Sequence, residues 1–510
     1  MTAKIVTAAF EGVEARRVDV EVQISSGVVA FIIVGLADKA VAESRERVRA
    51  AFAGLGLALP AKRLVVNLAP ADLPKEGSHY DLPIALGLMA AMGVAPPEAL
   101  EGWLAFGELS LDGRIAPAVG ALPAAIAARA MGLGLICAEA SGPEAAWAGE
   151  TPILAPRSLI ALINHFRGTQ ILTPPQPGPA LDGAGGPDLA DVKGQDQARR
   201  ALEIAAAGGH NLLFCGPPGS GKSMLASRMP GLLPPLSTKE LLETSMIHSM
   251  AGLIAKGALT RRRPFRAPHH SASMAALVGG GSKAKPGEVS LAHNGVLFLD
   301  ELPEFTPQAL DSLRQPLETG EVVVARANAH LRYPARVQVV GAMNPCRCGH
   351  GGLGRGYCGK APRCQKDYQG RLSGPFLDRI DLHVDVPAVS PGDLADAASG
   401  EPSAVVAARV ALARERQEAR GEALGLPSHA ALNSRLDGRA LEAAAALDPA
   451  GKALLDQAAR RGGLTARGWT RTLRLARTIA DLEGAEAIKR PHLAEALIYR
   501  RLDAEPRDAS

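Results

Sequence analysis

The segment that most restricts the fold of this chain is Gly-Pro-Pro-Gly-Ser-Gly-Lys-Ser, residues 216–223, which directly follows the apolar run 211–215. This order predicts a buried strand that leads into a glycine-rich loop and then into a helix. In such a loop the glycines let successive backbone N–H groups turn inward around phosphates, and the helix N-terminus adds a partial positive charge. An ordinary glycine turn is the alternative, but the order of strand, loop and helix argues against it. The segment therefore predicts a site for ATP with Mg²⁺, whose candidate ligands are Gly216, Gly219, Gly221, Lys222 and Ser223.

The length and composition indicate a multidomain protein that does not enter a membrane. At 510 residues the chain is too long for one core, and about 150 residues per domain predicts three domains. Its apolar runs, such as 28–37, are well short of the roughly 20 residues that span a bilayer, so they are interpreted as buried strands. The first ten residues lack the layout of a signal peptide, which favours the cytoplasm. The net charge of +4 permits nucleic acid as a partner without requiring it.

A segment rich in proline and glycine at 173–187 has little apolar periodicity, as expected of a semi-rigid linker. Before it, strand and helix patterns predict a mixed α+β domain over residues 1–172. After it, alternating strand and helix signals over residues 188–388 indicate a parallel nucleotide-binding sheet. From 389 to 510 the pattern is nearly all helical, for example where apolar residues recur at helical spacing through 440–447, and this predicts a helical lid.

A second nucleotide signature follows the loop at a suitable distance. The apolar run 295–299 ends in Asp300 and Glu301, which is the form of a Walker B strand. Asp300 would complete the Mg²⁺ shell together with Ser223, and Glu301 would orient and polarise the attacking water. Alone, such an ending is common at strand termini. Its combination with the phosphate loop favours the functional interpretation.

The predicted strand 337–343 ends at Asn344, where a polar side chain could reach the γ-phosphate; a turn-forming Asn before Pro345 is the alternative. With these three motifs the chain resembles the AAA+ ATPases, in which such an Asn is called sensor 1. More closely, it resembles the YifB/ComM family of magnesium-chelatase-like AAA+ ATPases. The segments that carry this resemblance are 192–202, 263–271, 290–304, 373–383 and 476–482, and it extends over essentially the whole chain.

The resemblance implies a fold and several further site residues. It implies a multidomain α/β protein with an N-terminal Lon-protease-like (ChlI-type) α+β domain, a central AAA+ P-loop domain and a C-terminal helical lid. Arg379 matches the family's arginine finger, which enters the site of the neighbouring subunit, so the resemblance implies a homohexameric ring. Arg467 matches the sensor 2 arginine of the lid, and Arg471 is a rival for that role. For either arginine alone, a surface salt bridge is the ordinary alternative.

Two basic regions point towards DNA. Residues 317–333 resemble a hairpin inserted before sensor 1 in this clade, with a turn near Ala327 and Asn328. In a ring such hairpins line the pore, where Arg326, His330 and Arg332 would face the phosphates of single-stranded or branched DNA. The basic segments 259–270 and 279–286 are also placed to form a pore loop, although charge runs are usually solvated surfaces. A solvated hairpin is likewise the alternative for 317–333.

Four of the six cysteines lie in one short segment: Cys346, Cys348, Cys358 and Cys364. Four thiolates suit a tetrahedral structural Zn²⁺, although the first spacing is tighter than usual. Free or redox-active thiols are the alternative. The surrounding side chains would give the loop a basic surface suited to phosphate, and they are Arg347, Arg355, Lys360, Arg363 and Lys366.

The N-terminal domain departs from the Lon-protease pattern that it resembles. A Lon-type site needs a serine and a lysine that deprotonates it. Here the serine position falls on His79, the lysine position holds Pro123, and Ser78 is one residue early. The sequence therefore predicts a structural or DNA-docking module without proteolytic activity.

Together these features predict a cytoplasmic ATP hydrolase that forms a ring on DNA and couples hydrolysis to translocation or branch migration. The resemblance to ComM-like proteins implies helicase activity in recombination during natural transformation. The alternatives are a chelatase-type motor subunit for inserting a metal into a porphyrin, a protein-remodelling or Lon-like machine, and a binding-only scaffold. The complete set of nucleotide motifs disfavours the scaffold, and the missing dyad disfavours proteolysis.

Overall fold

The computed structural model describes residues 2–183, 185–281, 285–326, 329–349, 358–389, 400–460 and 464–500. Several predictions made from the sequence fall outside these ranges. They are the hairpin turn at Ala327 and Asn328, Arg355 of the cysteine segment, and residues 390–399 and 501–510 of the lid. The side chains of Arg326 and His330 are also outside the description.

The N-terminal domain is built on a seven-stranded sheet with strand order β3-β4-β2-β1-β5-β8-β9. Along β1, Ile5 and Ala9 face one hydrophobic core while Val6 and Ala8 face the other, so helices cover both surfaces of the sheet. Its strands are β1 (Thr2–Glu11), β2 (Glu14–Ser25), β3 (Ala30–Val34), β4 (Arg63–Ala69), β5 (Trp103–Phe106), β6 (Glu108–Leu109), β7 (Ile115–Ala116), β8 (Gly134–Cys137) and β9 (Ile153–Leu154). Its helices are α1 (Lys39–Gly54), α2 (Asp81–Ala91), α3 (Pro97–Leu100), α4 (Ala121–Ala130), α5 (Gly142–Ala145) and α6 (Leu159–Phe166).

The prediction that 28–37 forms a buried strand is wrong for most of that run. Only Ala30–Val34 is a strand, and it is the outermost strand of its sheet. Val28 and Val29 precede it and are 86% and 66% exposed. An edge strand has a neighbour on one side only, so its apolar residues are not enclosed as they would be in the sheet centre.

The central domain contains a five-stranded, all-parallel sheet with order β13-β16-β19-β11-β20. Its strands, with the short pairs beside them, are β10 (Ala180–Leu181), β11 (Leu212–Cys215), β12 (Leu259–Thr260), β13 (Phe265–Arg266), β14 (Gly279–Gly280), β15 (Lys285–Pro286), β16 (Val296–Leu299), β17 (Glu321–Arg326), β18 (Ala329–Pro334), β19 (Gln338–Met343) and β20 (Leu382–Asp385). Its helices are α7 (Asp196–Gly208), α8 (Lys222–Ala226), α9 (Met229–Leu232), α10 (Thr238–Met250), α11 (Met274–Val278), α12 (Glu288–Leu291), α13 (Pro307–Ser312), α14 (Arg314–Thr319), α15 (Arg363–Gln369) and α16 (Gly374–Leu377). The parallel sheet predicted from the alternating pattern is therefore present.

The described C-terminal residues are helical and share a hydrophobic core with one face of the central sheet. Leu475 and Ile479 of the lid belong to the same cluster as Leu212 and Phe214 of β11. The helices are α17 (Ser403–Ala423), α18 (Gly438–Ala444), α19 (Pro449–Arg460), α20 (Ala466–Glu483) and α21 (Arg490–Ile498). Helix α18 ends three residues before the predicted end of its apolar pattern, because Leu447 instead forms a bridge with Ile488. None of the helices in the described ranges combines the length and the apolar character that crossing a bilayer requires.

The segment predicted as a linker is attached to the central domain. Residues Ala180 and Leu181 pair in parallel with Leu259 and Thr260. Beside this pairing, the Trp147 Nε1 of the N-terminal domain donates to the carbonyl of Gly257 at 2.8 Å. The domain boundaries at 172, 188 and 388 stay predictions, but the structure gives the first two domains direct contacts.

Candidate active site

The carboxyl edge of the parallel sheet gathers the predicted nucleotide residues. Strand β11 leads into the phosphate loop, and its neighbour β19 leads into Asn344. Strand β16, on the far side of β19, leads into Asp300 and Glu301. Since the carboxyl ends of parallel strands meet at one edge, three separate parts of the chain converge there.

The phosphate loop has the backbone shape that a cradle requires. Gly219 and Gly221 have φ values of +76° and +92°, a region that favours glycine. No heavy atom lies within 4 Å of where a Cβ would stand at either residue, so the space beside them is open. At Gly216, in contrast, a Cβ would overlap the carbonyl oxygen of Val386, so packing leaves room only for glycine at this position. The Oγ of Ser220, which lies between Gly219 and Gly221, is buried and has no hydrogen-bond partner among the described atoms.

Lys222 is folded back onto its own loop. Its Nζ donates to the carbonyl oxygens of Gly216 and Pro217 at 2.7 and 2.8 Å and to Asn344 Oδ1 at 3.3 Å. Burial lowers the pKa of Lys222 from its ordinary value, and the charge of Asp300 offsets part of this effect. A phosphate in the cradle would favour the charged form of this amine.

Ser223 and Asp300 form the pair expected of a Mg²⁺ site. The Ser223 Oγ donates to Asp300 Oδ2 at 2.7 Å, while Asp300 Oδ1 accepts from the backbone N–H of Glu301 at 2.9 Å. Hydroxyl and carboxylate oxygens are the ligands that Mg²⁺ prefers. The open cradle, the lysine and this oxygen pair therefore fit ATP with Mg²⁺.

Glu301 is held by a histidine that the sequence reasoning did not assign to the site. Its carboxylate oxygen lies 3.1 Å from Nδ1 of His270, and its φ is +49°. Adjacent side chains of an extended strand point to opposite sides, but the rings of His269 and His270 lie together, with centroids 4.0 Å apart. The chain leaves β13 and turns at these residues, so the alternation of an extended strand does not apply. No local motif signals the contact with Glu301, because it joins residues 31 positions apart in sequence.

The predicted arginines lie at the opposite edge of the sheet. Arg379 precedes β20, and it shares a cleft of about 1360 Å³ with Arg467 and Arg471 of the lid. Arg379 pairs with Glu318, Arg467 contacts Asp378 at 3.4 Å, and Arg471 contacts Asp381 at 2.7 Å. A four-residue strand is about 13 Å long, so the amino edge is well separated from the phosphate loop. The structure brings the three arginines together, but it does not bring them to Lys222 of the same chain.

Asp381 ties the lid to the amino edge of the sheet. It accepts from the backbone N–H of Asn211 at 3.0 Å, and Nδ1 of His210 lies 3.6 Å from it. Burial opposes ionisation of Asp381, but the His210 ring and the guanidinium of Arg471 hold its pKa well below the usual range. Asp381 was part of a family segment in the sequence, but its buried role was not predicted.

The four clustered cysteines are brought together as predicted. The sulfur atoms of Cys346, Cys348, Cys358 and Cys364 all lie within 4.8 Å of one another. Tetrahedral zinc with Zn–S bonds of about 2.3 Å places its sulfur ligands about 3.8 Å apart. The cluster therefore fits a structural Zn²⁺.

Comparison with known proteins decides the family. The description "Subunit ChlI of Mg-chelatase" matches residues 20–141, "Magnesium chelatase, subunit ChlI" matches 188–394, and its C-terminal counterpart matches 400–500. YifB of Escherichia coli (strain K12) is 45% identical over 502 residues, which are 98% of this chain and 96% of YifB. Competence protein ComM of Haemophilus influenzae is 43% identical over 512 residues, 98% of this chain and 97% of ComM.

This chain belongs to the magnesium-chelatase ChlI family. It is a homologue of YifB and ComM, which confirms the resemblance found in the sequence. The magnesium-chelatase 38 kDa subunit of Rhodobacter capsulatus is more distant, at 28% identity over 62% of this chain and 88% of the subunit. The architecture is accordingly an N-terminal ChlI domain, a central chelatase-type ATPase domain and a helical C-terminal domain.

In this ChlI-family protein the predicted basic regions differ in how free their charges are. Arg263 pairs with Glu240 at 3.0 Å and Arg266 with Glu288 at 2.6 Å, so both are neutralised within the domain. Lys283 of the basic segment 279–286 is outside the described residues. Arg332 of the hairpin is 75% exposed, and its guanidinium lies 3.7 Å from the carboxylate of Glu321. Arg332 is therefore more accessible than Arg263 and Arg266, and Lys285 of the segment 279–286 is exposed as well.

The region that resembles a Lon-type site has no serine–lysine contact. The Ser78 hydroxyl donates to Glu108, and the Lys75 amine donates to the carbonyl of Pro70. His79 is buried, and its Nε2 lies 2.9 Å from the carbonyl of Ala8. Among the residues described here, Ser78 thus has a carboxylate partner and no amine partner.

Proposed function

We propose that this protein is an AAA+ ATP hydrolase that acts as a homohexameric ring on DNA. The observation that carries the proposal is the division of the site between two edges of one sheet. Lys222, Asp300 and Glu301 lie at the carboxyl edge, whereas Arg379 and Arg467 line a cleft at the amino edge. A second copy whose amino edge faced the first copy's phosphate loop would complete the site, as a closed ring of identical interfaces allows.

Each proposed catalytic role follows from a position at these edges. Bound Mg²⁺ would neutralise charge on the phosphates. Lys222 would bind the β- and γ-phosphates, Ser223 and Asp300 would hold the metal, and Glu301 would orient the water. Asn344, already 3.3 Å from Lys222 Nζ, would contact the γ-phosphate. Arg379 of the neighbouring copy would stabilise the transition state, a role worth about 10³–10⁵ in rate.

DNA is the proposed substrate of the motor. The hairpin formed by β17 and β18 presents Arg332 on an exposed face, and phosphates are attracted by such cations. ComM, a competence protein, is 43% identical along nearly its whole length, which supports a role in recombination during natural transformation. We propose that hydrolysis drives translocation or branch migration on single-stranded or branched DNA in the cytoplasm.

Two further parts of the prediction belong to this proposal. The N-terminal ChlI domain is proposed to be Lon-protease-like in fold and inactive as a protease, because Ser78 has no amine partner among the described residues. The four cysteines are proposed to hold a structural Zn²⁺ that orders the loop after Asn344.

A chelatase-type motor subunit is the second candidate, supported by the 28% identity to the Rhodobacter capsulatus subunit. A protein-remodelling ATPase would also use the same nucleotide site. The higher identity and fuller coverage of ComM and YifB favour the DNA motor over the chelatase role.

The proposal is tested by measuring the ATPase rate alone and with single-stranded, duplex and four-way-junction DNA. We expect stimulation by at least one of these DNAs, and we expect Arg332→Ala to reduce it without changing the rate measured without DNA. Lys39→Ala, which removes a cation of the N-terminal domain whose side chain is 92% exposed, is the control and should leave stimulation intact. An ATPase rate that no DNA changes would contradict the choice of substrate.

A further inference from the structure

The hairpin formed by β17 and β18 is a two-stranded sheet of its own, separate from both large sheets. Isolated two-stranded hairpins are only marginally stable in water and need another surface to pack on. The two faces of this hairpin differ sharply. Val322, Leu331 and Tyr333 are buried, whereas Val323 and Arg332 on the other face are 40% and 75% exposed.

The buried face of the hairpin packs partly on the N-terminal domain. Leu331 and Tyr333 form a small apolar cluster, and Val13 and Val324 pack against it. Val13 belongs to the two-residue turn between β1 and β2, whose strands pair up to Glu11 and Glu14. Another domain thus provides part of the support that keeps this hairpin in place.

Only glycine fits at the first residue of that turn. Gly12 has a φ of +71°, and a Cβ at this position would overlap the carbonyl oxygen of Arg332. The turn therefore lies directly against the backbone of β18, at the residue whose side chain points to the exposed face. Any side chain at position 12 must push the hairpin and the N-terminal domain apart.

We propose that the β1–β2 turn of the N-terminal domain is a positioning element for the hairpin. Through Gly12 and Val13 it sets the orientation in which Arg332 is presented, so the N-terminal domain takes part in the action of the motor without contacting the substrate. The structural part of this inference stands on the contacts alone. The functional part rests on the DNA-binding role proposed above.

The protein offers a closely matched pair of variants to test this. Gly132 in the same domain has a φ of +70°, nearly that of Gly12, but no heavy atom lies within 4 Å of its Cβ position. Gly12→Ala and Gly132→Ala therefore introduce the same backbone strain, and only the first creates a clash with the hairpin. Val13→Ala removes apolar contact with the hairpin without adding backbone strain. It replaces Gly12→Ala in the test if that variant does not fold.

Hydrogen exchange of the full-length protein measures the positioning directly. We expect exchange of the β17 and β18 amides to rise several-fold in Gly12→Ala and to rise in Val13→Ala, relative to Gly132→Ala and the unaltered chain. Equal exchange in all four proteins would overturn the positioning role. This readout needs no DNA, so it decides the structural inference even if DNA fails to stimulate the unaltered chain.

The ATPase assay then tests the functional part. We expect Gly12→Ala to lose stimulation by DNA while keeping its rate without DNA and its KM for ATP, and we expect Gly132→Ala to keep all three. If DNA stimulates the unaltered chain and Gly12→Ala equally, although the hairpin amides exchange faster, the coupling of the N-terminal domain to the motor is wrong. If DNA stimulates neither, the DNA role fails and the coupling with it.

Discussion

At the scale of single residues, Lys222 and Glu301 are placed for different steps. Lys222 points into the phosphate loop, whereas Glu301 lies beyond Asp300, where it would act on water. We expect Lys222→Ala to lose nucleotide binding and Glu301→Gln to bind ATP but hydrolyse it at least about 10²-fold more slowly. Fluorescent-nucleotide titration and phosphate release measure the two effects. Normal turnover in Glu301→Gln would contradict the assignment.

The buried residue His79 makes the stability of the chain depend on pH. Burial lowers the pKa of His79 from 6.5 to about 4 in the folded chain. Between these values the unfolded chain binds a proton that the folded chain does not, so the free energy of unfolding falls as the pH falls. The loss amounts to about 3 kcal/mol by pH 4, and the stability is fully present above pH 6.5.

This dependence predicts a thermal midpoint that falls between pH 6.5 and pH 4, and a smaller fall in His79→Gln, whose amide cannot be protonated there. Thermal unfolding at a series of pH values measures both. His269→Gln, the same change at an exposed side chain, is the control. Identical profiles for His79→Gln and the unaltered chain would contradict the role of His79.

How much of the site the sequence predicts depends on whether its residues are contiguous. The loop at 216–223 and the pair Asp300 and Glu301 carry local patterns, since their chemistry needs fixed spacings. The contact of His270 with Glu301 and the burial of Asp381 have no such pattern. Both arise from chain segments that only the folded sheet brings together, so the sequence gives no spacing from which to infer them.

At the scale of elements, Asp381 joins the strand β20 to the lid helix α20 through Arg471. Asp381→Asn would leave Arg471 without its charged partner in a mostly buried place. We expect this variant to lower the free energy of unfolding by about 3 kcal/mol. Asp378→Asn is the control, because Asp378 and its partner Arg467 are 50% and 71% exposed, and such pairs contribute little. Calorimetric unfolding compares the two variants.

The cysteine segment makes a prediction about an element whose order depends on metal. If Cys346, Cys348, Cys358 and Cys364 hold zinc, protein purified without chelators will contain about one zinc per chain. We expect Cys348→Ser to lose most of it, whereas Cys137→Ala, a buried cysteine in the N-terminal core, will not. Elemental analysis measures the content. Zinc-free protein would favour free thiols instead.

The observed elements agree best with the sequence prediction where the apolar pattern is strong. The central parallel strands are buried on both faces and α20 buries one continuous face, so each lies where its pattern predicts. The run at 28–37 and the segment 173–187 behave differently. The first lies at a sheet edge and the second pairs with β12, and both outcomes depend on which partner is nearby rather than on the segment itself.

At the scale of the whole molecule, three domains meet around the cleft that holds Arg379. Glu14 and Arg16 of the N-terminal domain, Arg379 of the central domain and Arg467 of the lid all line it. A neighbouring phosphate loop seated in this cleft would therefore contact all three domains at once.

A mixing experiment tests whether two copies share each site. Alone, Lys222→Ala lacks the phosphate-loop half and Arg379→Ala lacks the arginine half, so both should be inactive. In a mixed ring, an Arg379→Ala subunit supplies its loop to the arginine of a Lys222→Ala neighbour. Random mixing at equal amounts should restore about a quarter of the intact interfaces and a corresponding ATPase rate.

The control mixes Lys222→Ala with Glu301→Gln. Both changes damage the same half of the site, so no combination of these subunits produces an intact interface and no activity should return. Light scattering must first establish that every variant assembles as the unaltered chain does. If Lys222→Ala and Arg379→Ala assemble together and recover nothing, the arginine does not act across the interface. The separation of the two sheet edges would then require another source of positive charge for the γ-phosphate.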